Sequence, residues 1–349
     1  MTYGSLFAGT GGFDLGFDAA GWECAWQVEI DPHARKVLAH WWPDVPRHED
    51  ITEVSGSDLE PVDVIVGGFP CQDLSVAGRR AGMVEGTRSG LFYEFVRITR
   101  EMRDATAGTS PRWVVWENVA GLLSLGNTLA AVYAAWDDIG AVVQEHRLID
   151  TGRAFGVPQR RRRVFGVVGF DPRAESAPPV LTEPESVRRD PAKGREAGQA
   201  VAALTANGVG AGGGPDDNAG QAGHLIPFRM QAFGQYVEDS SAISLKARDH
   251  KDATDLVAFH PTQDPISSSD GTTHCMGTEP AGSVAIAGDL AVRRLTPTEC
   301  ERLMGWPDGH TAPAGADSHR YRLCGNGVIA PAAEWLARRI ERTEEQTNG

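Results

Sequence analysis

Cys71 stands directly after a proline in "GGFPCQDLS", residues 67–75, where the apolar run Val62-Asp63-Val64-Ile65-Val66 ends. That run, β-branched and bounded by Pro61 and Gly67-Gly68, predicts a short buried strand with a thiol at its mouth. The thiol is a nucleophile, a metal ligand or a small core residue. Three further stretches carry polar groups where strands should end. "WVVWENVAGLL" leaves Glu117 and Asn118 after Trp113-Trp116, and "FGVPQRRRRVFGVV" places Gln159, Arg161 and Arg163 just before Val164-Val168. "CGNGVIAP" presents Asn326 between two glycines. A thiolate, a carboxylic acid and an arginine in one cleft suit attack on a pyrimidine. Cytosine carbon 5 is a poor nucleophile until a thiolate adds at carbon 6. A carboxyl group at ring N3 stabilises the enamine that develops, and an arginine at O2 fixes the ring and holds that carboxyl group.

Each residue also has a plainer reading. Cys71 could be packing, Glu117 could be an acid at a helix N-terminus, and the arginine run could be a solvated face. All three plain readings must hold together for the cleft to be dismissed.

A second constellation lies at the N-terminus. "SLFAGTGGFDLGF" follows the first expected strand and opens the first helix. Gly9, Gly11 and Gly12 let the backbone turn sharply and approach a ligand, and the helix start offers free N–H groups. The dinucleotide fingerprint wants a third glycine where Asp14 stands, which disfavours a pyrophosphate. Twenty residues after Gly9 comes Glu29, placed at a strand tip to take both hydroxyls of a ribose, and Asp50 in "RHEDI" could meet an adenine amino group. Alone, either acid reads as a solvated strand-end charge. Together with the loop they predict a nucleoside-bearing cofactor without a pyrophosphate, which S-adenosylmethionine fits.

These residues need a frame. Apolar runs predict strands at Tyr3-Phe7, Cys24-Val28, Val62-Val66, Trp113-Trp116, Val142-Leu148 and Arg163-Val168. Amphipathic stretches between them predict helices at Gly12-Ala20, Pro32-Trp41, Leu91-Met102 and Thr128-Ile139. That alternation implies a mostly parallel α/β sheet, whose ligands gather at the carboxyl ends of strands. From residue 171 to about 290 the chain turns rich in Pro, Gly, Ser and Asp, with the low-complexity run "NGVGAGGGPDDNAGQAG", and reads as an inserted loop-rich lobe with short strands. Helical character returns in "LTPTECERLMGWPD", with Thr296 as cap before Pro297, and in the amphipathic tail "APAAEWLARRIERTEEQ".

The chain has 349 residues, 41% hydrophobic and 23% charged, ordinary for a globular protein with two domains. No apolar stretch approaches a membrane span and "MTYGSLFAGTGG" lacks a signal-peptide pattern, so a cytoplasmic protein is expected. The five cysteines form no CxxC pair and no histidine stands at ligand spacing from them, so neither a disulfide framework nor a metal site is expected. The net charge of −14 argues against phosphate binding, yet basic residues cluster at Arg79-Arg80 and Arg160-Arg163, consistent with an acidic protein bearing one basic cleft.

In these motifs, and in their order, the chain resembles the bacterial and phage cytosine-C5 DNA methyltransferases over nearly its whole length. "FAGTGGF" is similar to the family's cofactor loop, "GGFPCQDLS" to its nucleophile motif, "ENV" to its glutamate motif and "QRRRRVF" to its Gln-x-Arg-x-Arg motif. "RRLTPTECERLMGWPD" and "CGNGV" resemble its two C-terminal motifs.

The resemblance implies a Rossmann-like, S-adenosylmethionine-dependent methyltransferase sheet with an inserted target-recognition lobe. The units are then 1–170 (catalytic and cofactor-binding), 171–290 (target recognition) and 291–349 (a return to the first). It implies Cys71 as nucleophile, Glu117 as N3 partner and Arg163 as O2 contact. Arg161, Pro70, Gln72 and Asn118 support them. A cofactor pocket would comprise Phe7, Ala8, Gly9, Gly11, Gly12, Glu29, Ile30, Asp50, Ile51, Leu91, Asn326 and Val328. DNA contacts would come from Ser75, Arg79, Arg80, Arg160 and Arg162. The substrate would be double-stranded DNA with its cytosine flipped out of the helix, and the enzyme a monomer serving restriction-modification or phage self-protection. A tRNA cytosine-C5 methyltransferase on the same scaffold is the near rival. A cysteine hydrolase lacks a histidine partner for Cys71, and a non-catalytic DNA-binding homologue has no need of Cys71 or Glu117.

Overall fold

The computed structural model describes residues 1–70, 90–124, 128–157, 159–181, 226–232, 235–238, 242–243, 255–259, 286–287 and 290–348. The first body begins with β1 (Thr2–Leu6), α1 (Gly12–Ala19), β2 (Glu23–Val28), α2 (Pro32–Trp41), β3 (Arg47–His48) and β4 (Val64–Gly67). It continues with α3 (Gly90–Ala105), β5 (Trp113–Val119), α4 (Thr128–Asp137), β6 (Val143–Asp150), α5 (Thr151–Phe155), β7 (Gln159–Arg160) and β8 (Arg162–Gly169). Seven strands form one sheet in the order β3-β2-β1-β4-β5-β8-β6. Five run parallel from β3 to β5, while β8 lies antiparallel to both β5 and β6.

Both faces of this sheet are covered, so alternate residues of each strand enter different cores. Val64, Val66, Trp113, Val115, Phe165 and Val167 face one core, shared with Phe13 and Phe17 of α1. Ile65, Val114, Trp116, Val164 and Val168 face the other, against Phe92 and Phe95 of α3 and Trp136 of α4. The first core is completed by the C-terminal segment. There α6 (Pro297–Leu303) starts with a capping box from Thr296 and Glu299, followed by α7 (Asp317–Asn326) and α8 (Ala330–Asn348). Leu336, Ala337 and Ile340 of α8 are fully buried beneath α1.

Residues through Leu181 stay with this body: Ala174, Val180 and Leu181 are in its core, and Arg339 donates to the carbonyl of Val180. Beyond them a second, antiparallel sheet is described. It comprises β9 (Ile226–Ala232), β10 (Gln235–Glu238), β12 (Asp255–Phe259), β13 (Ile286–Ala287) and β14 (Leu290–Arg294), in the order β10-β9-β12-β14-β13. The short β11 (Ala242–Ile243) pairs in parallel with β7. Among the described residues no helix is long and apolar enough to cross a membrane.

Three local expectations need correction. Phe7 ends no strand: β1 stops at Leu6 and Phe7 turns with φ 52°. Glu117 and Asn118 do not follow β5 but lie within it, paired with Phe165 and Val164. Arg163 lies inside β8, as the expected strand Arg163-Val168 has it, and so not in the connection before Val164; it pairs opposite Val119.

Candidate active site

The antiparallel course of β8 is what brings the acid and the arginine together. Its N-terminal end lies beside the carboxyl end of β5, so Arg163 enters the cleft where β1, β4 and β5 also end. Arg163 Nε lies 2.9 Å from Glu117 Oε1, both side chains largely buried. The pair matches charge without giving Oε1 a well-aligned hydrogen bond. Burial pushes the Glu117 carboxyl above its ordinary pKa, against the opposing charges of Arg163 and Arg161. An acid in such a setting keeps its proton more readily than a solvated carboxylate.

The chain leading to Cys71 is fixed against this pair. A Cβ at Gly68 would meet Glu117 Oε2 at 3.4 Å, so the backbone passes directly over the carboxyl group. Asn118 Nδ2 donates to the Phe69 carbonyl at 3.0 Å, and Phe69 packs on Phe92 and Trp116. Pro70 is exposed at the end of this span. Cys71, Gln72, Ser75, Arg79 and Arg80 lie outside the described residues, as does the side chain of Arg160.

Arg161 makes no ion pair with Glu117 but is close enough for its charge to act on that carboxyl group. It is fully buried and donates to the carbonyls of Gly325 (3.2 Å) and Gly327 (2.5 Å), tying β8 to the "CGNG" turn. Burial, then the charge of Arg163, lowers its pKa to about 9, so it stays charged near neutral pH. Gln159 is buried too, and donates to the Leu303 carbonyl of α6 at 3.1 Å. Arg162 is exposed at the start of β8.

The glycine loop makes a second wall of the cleft. Gly9 and Gly11 adopt φ 58° and 83°, a region closed to most side chains. A Cβ on Gly9 would meet only the Phe7 carbonyl, at 4.0 Å, so this backbone faces open space. A Cβ on Gly12 would fall 2.4 Å from the Val328 carbonyl oxygen, so α1 and the "CGNG" segment touch backbone to backbone. Glu29 bridges the loop to α2: Oε2 accepts from Gly9 N and Oε1 from Asp31 N, each at 2.7 Å. Burial raises the Glu29 pKa, and those two N–H groups oppose the rise.

Beside Glu29, Ile30 is 68% exposed, an apolar side chain with nothing packed over it. Asp50 is held as a carboxylate by Thr52, whose N–H and hydroxyl both donate to Oδ1. Ala8 donates to the Val28 carbonyl, Phe7 packs edge-on to Phe95, and Ile51 and Leu91 border the same core. Asn326 ends α7 exposed, at a helix end where a strand end had been expected.

An open cradle, a carboxylate at its rim, an uncovered apolar side chain and a further acid fit an adenosine bearing a charged tail. A model of the C-5 cytosine-specific DNA methylase family matches residues 1–342. The chain belongs to that family. Its fold is the α/β methyltransferase fold, and its activity is DNA cytosine-5 methylation.

Relatives agree over most of this methylase. It is 29% identical to Type II methyltransferase M.HpaII of Haemophilus parainfluenzae, across 97% of this chain and 89% of that one. It is 28% identical to a phage P1 protein named a DNA N-6-adenine-methyltransferase, across 98% of this chain. The match spans only 61% of the phage protein, whose named activity is its own. Among solved structures, the Dnmt2 methyltransferase of S. pombe shares the fold, with a TM-score of 0.63 at 14% identity over the whole of both chains.

Three polar residues that hold α1, α2 and the glycine loop in place are not singled out by the sequence for that work. Asp14, which in the sequence stands where a dinucleotide loop has its third glycine, has a structural partner set of its own. It is fully buried, accepts from Ser5 Oγ (3.0 Å) and Gln27 Nε2 (2.8 Å), and burial raises its pKa to about 6. Asp31 caps α2 and pairs with Arg322 of α7. His310 touches the glycine loop from the C-terminal segment. Asp31-Pro32 carries a helix-start signal, but the partners of the other two come from distant segments.

Proposed function

We propose that this methylase acts on double-stranded DNA through a covalent bond between Cys71 and a flipped-out cytosine. The Cys71 thiolate adds to carbon 6, and the electron pair of the 5,6 double bond moves onto carbon 5, in conjugation through carbon 4 with N3. Glu117 holds a proton at N3 and stabilises the enamine. Arg163 contacts O2 and keeps Glu117 in place. Loss of the carbon 5 proton restores the double bond and expels the thiolate. S-adenosylmethionine, held by the loop at Gly9 and by Glu29, Ile30 and Asp50, would supply the methyl group that carbon 5 receives, its S–CH3 bond breaking to leave a neutral thioether. Arg161 acts by bracing β8 against the "CGNG" turn, and Asn118 by holding the Phe69 carbonyl one residue short of the Pro70-Cys71 bond.

The observation that carries this reading is the buried Glu117–Arg163 pair lying against Gly68, three residues before Cys71. The antiparallel lobe is proposed to read the target, and Arg79, Arg80, Arg160 and Arg162 to meet phosphates. The enzyme would work as a cytoplasmic monomer, since one chain holds every proposed group, and would serve restriction-modification or phage self-protection.

The direct test incubates the protein with methyl-labelled S-adenosylmethionine and a pool of random-sequence duplexes, then hydrolyses the product. Label in 5-methylcytosine from duplex DNA is expected. In a parallel incubation with transfer RNA, label in that RNA and none in the duplexes would overturn the DNA assignment and favour the tRNA reading.

A further inference from the structure

His310 lies between α6 and α7 and is completely buried. Its Nε2 is 2.6 Å from the carbonyl oxygen of Thr10, the residue between Gly9 and Gly11. A carbonyl only accepts, so Nε2 carries the hydrogen and Nδ1 is bare, with no partner among the described residues. Three tryptophans fix the ring plane. Trp41 stacks on it at 5.5 Å and 22°, Trp306 lies at 5.3 Å, and Trp42 meets it edge-on. Trp41 Nε1 also donates to His310's own carbonyl at 2.9 Å.

The backbone on either side of the imidazole is fixed as well. The fully buried Glu301 carboxylate accepts from Gly309 N at 2.7 Å and Thr311 N at 2.8 Å, and Arg320 pairs with it at 3.1 Å. The ring is thereby held against a stretch of backbone rich in left-handed turns. Phe7, Gly9 and Gly11 all adopt positive φ. Thr10 is 1% exposed, so water cannot take the imidazole's place on its carbonyl.

We propose that His310 is a positioning residue for the cofactor: its Nε2–H holds the Thr10 carbonyl and so keeps the glycine loop in its ligand-accepting shape. The role rests on the reading that this loop binds S-adenosylmethionine. Burial, with a small push from His40 and against the pull of Thr10 and Glu301, lowers the His310 pKa, so the ring is neutral at pH 7. The neutral ring donates once, to the loop.

The test compares wild type, His310→Phe and His310→Gln by equilibrium binding of S-adenosylmethionine, by steady-state kinetics and by thermal unfolding without ligand. Phe fills the space among the tryptophans but cannot donate, whereas the Gln amide can. His310→Phe should stay folded, melting at most a few degrees below wild type, yet bind cofactor about tenfold more weakly, because the Thr10 carbonyl loses the imidazole's hydrogen bond. Its KM for S-adenosylmethionine should rise while kcat at saturation stays near wild type, and Gln should restore most of the affinity. A folded Phe variant with wild-type affinity overturns the proposal and leaves the cofactor assignment standing. A wild-type protein that binds no S-adenosylmethionine overturns both. Should His310→Phe not fold, wild-type protein labelled with 15N-histidine decides. A slowly exchanging Nε2–H that shifts on cofactor addition supports the role, and one that exchanges freely or ignores the cofactor overturns it.

Discussion

Glu117 shows how a residue's chemistry follows from where it is buried. An exposed glutamate would be ionised at neutral pH and poor at holding a proton on a ring nitrogen. Here desolvation favours the acid form, while Arg163 at 2.9 Å limits how far the pKa rises. Glu117→Gln keeps the volume but cannot exchange the proton, so kcat should fall by about 10²-fold or more while S-adenosylmethionine binding is unchanged. The sign of the pH effect follows. The acid form is lost as pH rises through a raised pKa, so kcat should decline at a pH above the ordinary carboxylate range. Rapid-quench rates across pH should show that limb in wild type and lack it in the Gln variant.

At the scale of elements, the site depends on contacts that leave no room for error. The approach of α1 to the "CGNG" turn is one. In Gly12→Ala the new methyl group would sit 2.4 Å from the Val328 carbonyl oxygen, and neither partner is a side chain that can swing aside. That variant should melt several degrees lower and lose cofactor affinity, read by calorimetry and binding together. α6 offers a milder case. Thr296→Ala removes the cap of a short helix and should cost about 1 kcal/mol in denaturant unfolding, with kcat intact.

The elements were also where the sequence was most and least informative. Alternating apolar runs marked the six longer strands of the first sheet, and Asp31-Pro32 and Thr296-Pro297 both lie at helix starts. Strand direction was not legible. Glu117-Asn118 reads as a strand end because buried polar residues inside a strand are rare, and nothing in "QRRRRVF" says that β8 runs antiparallel. The same limit hid His310 and Asp14. Each is polar, and each gains its role from partners that the fold supplies and the local sequence does not name.

For the whole molecule, the open question is how a chain of net charge −14 holds a polyanion. Its overall field repels DNA, so attraction must come from a few local cations, and the exposed Arg162, proposed to meet a phosphate, would be one of them. Non-specific duplex affinity should be weak and should fall steeply with salt, by a slope near 0.9 per phosphate contacted in a log–log titration. Arg162→Gln should lower that slope by about one contact without altering cofactor binding.

The central claim is that Cys71 bonds to cytosine, and duplex DNA with 5-fluorocytosine in place of cytosine tests it directly. Fluorine cannot leave as a proton does, so the covalent state accumulates. With S-adenosylmethionine present, wild type should form a gel-stable adduct and Cys71→Ala none. An adduct that survives in Cys71→Ala, or none from wild-type protein that still binds the cofactor, would contradict the account.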